Sequence, residues 1–82
     1  SQELFFTLYP NPVGDKLFVK FEAFKATEKT ELSVRNILGQ ELLHQRITSG
    51  NISLNTSNLP AGSYICILSG NGKYYTEKFI KQ

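Results

Sequence analysis

The residues of this 82-residue chain that could perform chemistry are few, beginning with one cysteine, Cys66, and one histidine, His44. A nucleophilic thiol needs a neighbouring base. Cys66 instead lies within the apolar run YICIL, and an unpaired cysteine in such a run is typically a small buried hydrophobe. We therefore expect Cys66 to be an inert core residue without a disulfide partner. No motif surrounds His44, which we expect on the surface.

The carboxylates are too scattered to indicate a catalytic or metal site. They are Glu3, Asp15, Glu22, Glu28, Glu31, Glu41 and Glu77. Two of them could meet in space, but glycosidase-type catalysis also needs a cleft, and a metal site needs several ligands on one frame. The sequence therefore predicts no enzyme, no cofactor and no catalytic or metal site. Calcium bound by loop carbonyls stays an open alternative.

Charge and hydropathy exclude two other classes of function. Nine Lys and Arg against seven Asp and Glu give a net charge of +2, and the basic residues form no run. A nucleic-acid partner would need a concentrated basic face. No apolar stretch is long enough to insert in a membrane. Residues 1–3 are unlike the basic start of a signal peptide, so we expect residues 1–82 to be a single domain cut from a larger protein.

Alternation of apolar and polar residues predicts strands throughout, as the ten aromatic residues also suggest. We expect residues 23–29 to form a loop, and Gly39 to allow the turn of a hairpin. The predicted strands cover residues 4–8, 16–22, 30–36, 41–47, 52–55, 63–69 and 73–80. Strands this short and this closely spaced predict an all-β protein: a small immunoglobulin-like antiparallel β-sandwich of about seven strands. The predicted core comprises Leu17, Val19, Leu32, Val34, Ile52, Leu54 and two or three of residues 64–68.

Two turn motifs have both a structural and a functional interpretation. Pro10, Asn11 and Pro12 end a strand and stiffen the entry to the next, although the same element could be presented to a receptor. The run LPAGSY, residues 59–64, fits a tyrosine corner, in which a tyrosine hydroxyl bonds back to the main chain. Both motifs are expected to be mainly architectural, and either alone indicates a sandwich and no more.

The combination of motifs is more specific. From Leu8 onward the chain resembles the type A C-terminal sorting domain of the type IX (Por) secretion system of Bacteroidetes. The residues that match that family's motifs are Pro10, Asn11, Pro12, Asn36, Gly39, Leu59, Pro60, Gly62 and Tyr64, followed by the basic and apolar ending Lys78, Phe79, Ile80, Lys81 and Gln82. Two departures are visible: Asn36 stands where aspartate is usual, and Gln40 stands where a basic residue is common.

The resemblance implies a secretion signal with no chemistry of its own. The parent protein would cross the inner membrane by a separate N-terminal signal and fold in the periplasm. The outer-membrane translocon would then recognise this domain and pass it to a shuttle protein. A cell-surface sortase would usually remove the domain and attach the parent to lipopolysaccharide. The expected location is therefore the periplasm in transit, then the cell surface or the extracellular medium.

The terminal segment is the expected recognition element for the translocon and the shuttle protein. It consists of Lys78, Phe79, Ile80, Lys81 and Gln82. Phe79 and Ile80 on opposite faces of a strand could hold the core and still present an apolar surface. Lys78 and Lys81 would suit an acidic receptor rim. The alternative is that the segment only completes the last strand.

Two other functions stay open on sequence alone. An adhesive or carbohydrate-binding sandwich would present a row of exposed aromatic side chains, for which Tyr9, Phe18, Tyr74 and Tyr75 are the candidates. A structural spacer would leave export unchanged when deleted. Exposed edge strands would also allow a dimer formed by edge pairing.

Overall fold

The computed structural model describes residues 5–22, 30–48, 50–70 and 72–82, which form seven β-strands and, within those ranges, no helix. The strands are β1 (Phe5–Tyr9), β2 (Lys16–Glu22), β3 (Glu31–Asn36), β4 (Glu41–Arg46), β5 (Asn51–Asn55), β6 (Gly62–Gly70) and β7 (Lys73–Lys81). The all-β prediction is confirmed, and each predicted strand overlaps an observed one. Leu4 and the predicted loop at residues 23–29 lie outside the described residues.

The strands form two antiparallel sheets that make a sandwich. One sheet has the order β1-β2-β5, and the other has the order β4-β3-β6-β7. The apolar strand β6 lies in the interior of its sheet, as its composition suggests. No helix in the described ranges is long and apolar enough to cross a membrane.

The core lies between the sheets and follows the predicted alternation. Side chains one residue apart in a strand point to opposite faces, so alternate residues of β2, β3 and β6 are buried. Ile52 is half-buried and packs against the core from its edge. The buried members of the predicted core are Leu17, Val19, Leu32, Val34, Leu54, Tyr64, Cys66 and Leu68.

The two sides of the sandwich differ. The edge strands β1 and β7 contact each other, so one side is closed. On the other side no Cα atom of β4 lies within 8 Å of a Cα atom of β5. Both β4 and β5 are therefore open edges within the described part of the chain.

Candidate functional site

The strand register gathers the sequence motifs at one end of the sandwich. Asn36 of β3 pairs with Tyr64 of β6, which in turn pairs with Phe79 of β7. The segments that continue from these three residues therefore lie at the same end. We call this the motif end and define it by residues 10–15, 36–40, 56–64 and 78–82.

The Pro-Asn-Pro element binds the terminal strand directly. The side-chain oxygen of Asn11 accepts a hydrogen bond of 2.9 Å from the main-chain N–H of Ile80. Val13 donates to the carbonyl of Ile80 over 2.7 Å and accepts from the N–H of Gln82 over 3.0 Å. Val13 and Lys81 form a parallel bridge. The first motif of the chain therefore fixes the position of its last residues.

A second set of hydrogen bonds joins the loop after β5 to the loop before β2. Thr56 is fully buried, and its hydroxyl donates to the carbonyl of Gly14 over 2.7 Å. The main-chain N–H of Thr56 donates to the carbonyl of Asp15 over 2.8 Å, and the carbonyl of Thr56 accepts from Leu59 over 3.0 Å. Every polar group of this buried threonine is thus bonded, which holds the turn that leads into the tyrosine motif.

The predicted tyrosine corner is present. The hydroxyl of Tyr64 donates to the main-chain carbonyl of Pro60. Between them Gly62 has a φ of +154°, a conformation that residues with a side chain rarely adopt. The ring of Tyr64 stacks on that of Phe79, with centroids 5.5 Å apart and an interplanar angle of 21°. The corner therefore also supports the terminal strand.

The hairpin between β3 and β4 is ordered by Asn36. Its side-chain oxygen accepts from the N–H of Leu38 over 2.9 Å and from that of Gln40 over 3.0 Å. Its side-chain nitrogen donates to the amide oxygen of Gln40 over 2.8 Å. Gly39 has a φ of +82° and donates to the carbonyl of Asn36. The two departures from the family motif are therefore bonded to each other through their side-chain amides.

The terminal segment alternates between core and solvent. Phe79 is 1% exposed, whereas Ile80 is 50% exposed and Lys78 lies in solvent beside it. Lys81 is buried, and its ammonium group donates to the main-chain oxygen of Gln82 over 3.1 Å. The outward groups of the segment are therefore Lys78, Ile80 and Gln82, while Lys81 points inward and does not flank the apolar surface as the sequence had suggested.

Comparison with protein families decides the identity of the chain. A family model described as the secretion system C-terminal sorting domain matches residues 7–82. The chain belongs to this family. It therefore carries a type IX secretion sorting signal, interacts with that secretion system and marks a polypeptide for export to the cell surface or the extracellular space. No curated protein matches the chain.

Two titratable residues of the sorting domain, His44 and Cys66, have pKa values shifted by their surroundings. His44 is exposed, with Nδ1 3.0 Å from Oε1 of Glu41 and Nε2 3.5 Å from Oε1 of Glu31. Hydrogen bonds to Glu41 and then to Glu31 raise the pKa of His44. Burial, with a smaller contribution from Glu77, raises the pKa of the Cys66 thiol to about 12, which keeps it protonated and unreactive at neutral pH.

The candidate metal ligands and the candidate aromatic residues of the described ranges do not come together into a binding site. In the described ranges no cluster of three or more His, Cys, Asp or Glu side chains could hold a metal ion. Tyr9 and Phe18 stack on each other, with centroids 5.5 Å apart, on the three-stranded sheet. Tyr74 is exposed on the other sheet, and Tyr75 points inward and packs against the core. The four aromatic residues thus do not form one row.

The sequence did not reveal the bonds that tie Asn11 and Val13 to the terminal strand. Hydrophobic periodicity identifies strands, but it carries no information on which distant segment binds a strand end. An asparagine between two prolines was the available signal, and it indicated a turn only.

Proposed function

We propose that the sorting domain is recognised through the exposed groups of its terminal segment, presented by the folded motif end. The supporting observation is the anchoring of residues 80–82 by Asn11 and Val13, which leaves Ile80 half exposed while the main chain around it is fixed. A preorganised segment loses less conformational entropy on binding than a free tail would.

The exposed groups fit a receptor with an apolar pocket and an acidic rim. Ile80 offers an apolar side chain beside the solvent-exposed ammonium of Lys78. The domain carries a net charge of +2, which favours encounter with an acidic surface. The charge acts mainly on the rate of association, and the apolar contact acts mainly on the lifetime of the complex.

The remaining steps of this proposal come from the family. Residues 1–82 form a domain of a larger secreted protein that folds in the periplasm. The translocon and the outer-membrane shuttle protein bind the domain, and a cell-surface sortase then removes it. The domain is thus the substrate of the sortase and the sorting signal of its parent protein.

Deletion of the domain tests this function. A reporter protein with an N-terminal export signal is joined to residues 1–82 and produced in a bacterium with a type IX system. We expect the reporter at the cell surface or in the medium, and in the periplasm when residues 1–82 are removed. Protease accessibility on intact cells measures the distribution. Equal surface display of both forms would show that the domain is a spacer.

A further inference from the structure

The outward face of the larger sheet continues from the exposed side chains of the terminal segment. Lys78 and Ile80 point outward from β7, because Phe79 between them is buried in the core. The strand register places Ile65 of β6 opposite Lys78. It also places Ser63 of β6 opposite Ile80. Directly opposed residues of an antiparallel pair have Cβ atoms about 4.5–5.5 Å apart, so a protein that touches the two β7 side chains also reaches those of β6.

The next strand, β3, adds a basic side chain to this face. Arg35 is the register partner of Ile65, and it points outward because alternate residues of β3 are buried. Its Nη1 donates to the carbonyl of Gly39 over 3.1 Å, which ties the guanidinium to the hairpin turn. The carboxylate of Glu41, which faces Arg35 from β4, bonds to His44. Arg35 therefore forms no ion pair with a carboxylate of the described residues.

One row across the sheet thus has an apolar centre between two basic side chains. We call Arg35, Ile65 and Lys78 the basic row. Ile65 is partly exposed and Lys78 is fully exposed, with the half-exposed Ile80 beside them at the motif end. Four residues before Lys78 on β7, about 13 Å away, Tyr74 lies in a row with the acidic Glu31. The combination of apolar and basic side chains therefore belongs to the motif end of this face.

We infer that the basic row and Ile80 form one docking surface for the receptor that reads the terminal segment. The inference rests on the proposed function, because it keeps the same receptor and extends its contact from β7 to β6 and β3. The receptor places apolar side chains over Ile65 and Ile80 and acidic side chains against Arg35 and Lys78. Acidic groups at these two positions favour fast and correctly oriented association.

The size of a specific interface supports this extension. Stable protein–protein interfaces cover about 800 Å² of each partner, which is far more than two side chains of an edge strand can supply. The surface nearest to Lys78 and Ile80 on the outward face is that of β6 and then β3, since the order of the sheet is β4-β3-β6-β7. The receptor of the terminal segment is therefore the occupant that this surface fits.

Substitutions away from the terminal segment test the inference in the reporter fusion. Arg35→Glu and Ile65→Thr change the docking surface and leave residues 78–82 intact. Lys20→Glu and Phe18→Thr make matched changes on the outward face of β2, on the opposite side of the sandwich. Both charge reversals change the net charge equally, so a difference between them cannot come from overall charge. We expect surface display to fall at least about fivefold for the first pair and to stay at the parent level for the controls.

Photo-crosslinking measures the contact itself and leaves the basic row unchanged. Benzoylphenylalanine is placed at position 63, 80 or 53 of the reporter fusion, one position at a time, in a bacterium with a type IX system. Ser63 is exposed on the outward face of β6, and Ser53 is exposed on the outward face of β5 in the smaller sheet. We expect positions 63 and 80 to give an adduct with the same component of the secretion system. Position 53 should give no adduct with that component.

Two results would overturn the inference. The first is surface display of folded Arg35→Glu or Ile65→Thr at the level of its matched control. The second is an adduct from position 80 without the corresponding adduct from position 63. Either result leaves the proposed function standing as long as Lys78→Glu and Ile80→Ser stay in the periplasm. Surface display of those two variants would instead contradict the proposed function and the inference together.

Discussion

At the scale of single residues, Tyr64 joins the turn motif to the terminal strand. Its hydroxyl bonds to the carbonyl of Pro60, and its ring stacks on Phe79. Tyr64→Phe keeps the stacking and removes the hydroxyl bond, so we expect it to lower the free energy of unfolding by about 1 kcal/mol. Chemical denaturation measures this change. Tyr74→Phe is the matched control, because Tyr74 is 76% exposed, and equal midpoints for both variants would contradict the tyrosine corner.

His44 is the residue with a defined pH response. Its pKa is raised first by Glu41 and then by Glu31. A histidine whose pKa is raised by folding stabilises the protein at pH values below the ordinary histidine pKa. This stabilisation is lost as the pH rises through the pKa of the folded state. We expect Glu41→Gln to lower the pKa of His44 more than Glu31→Gln does, as followed by NMR titration of the imidazole protons. An unchanged titration in both variants would show that the carboxylates are not bonded to His44 in solution.

At the scale of the element, β7 depends on a segment from the start of the chain. Asn11 accepts the N–H of Ile80, and Val13 bonds to both Ile80 and Gln82. We expect Asn11→Ala to speed amide exchange at Ile80 and to destabilise the domain by about 1 kcal/mol. Asn58→Ala changes an exposed asparagine of the same end and serves as the control. If Ile80 exchanged equally in both variants, Asn11 would have no anchoring role.

The same contacts change how the terminal segment should be tested. If the terminal segment is the recognition element, removing residues 80–82 should block export. In the structure these residues bond to Asn11 and Val13, so the truncation also removes contacts of the fold. Substitutions of outward side chains separate recognition from folding more cleanly.

The elements were predictable from the sequence because each strand carries its own alternation. Leu17 and Val19 identify the buried face of β2 without reference to any other strand. The burial of Lys81 was missed because the last strand was expected to end at Ile80. β7 in fact continues to Lys81, which pairs with Gly62 of β6, and alternation places Lys81 on the same inward face as Phe79. Exposed edge strands were expected, but which strands form them was not predictable, since local alternation does not specify strand order.

At the scale of the whole molecule, the motifs of the family lie together at one end of the sandwich. The hairpin turn with its exposed Ile37 and Leu38 belongs to β3, which lies two strands from β7 and thus about 10 Å away. Most motif residues hold this end in shape through Asn11, Asn36 and Tyr64. The fold therefore presents a short, fixed terminal segment, which is the part of the sorting signal that we propose is recognised.

The most direct test of this account compares outward substitutions at the two ends of β7. Lys78→Glu and Ile80→Ser change the motif end, while Lys73→Glu and Tyr74→Ser make matched changes on exposed side chains at the opposite end of the strand. All four variants should fold as the parent does by circular dichroism. In the reporter assay we expect the first pair to accumulate in the periplasm and the second pair to reach the surface. Surface display of Lys78→Glu and Ile80→Ser at the level of their controls would contradict recognition through the terminal segment.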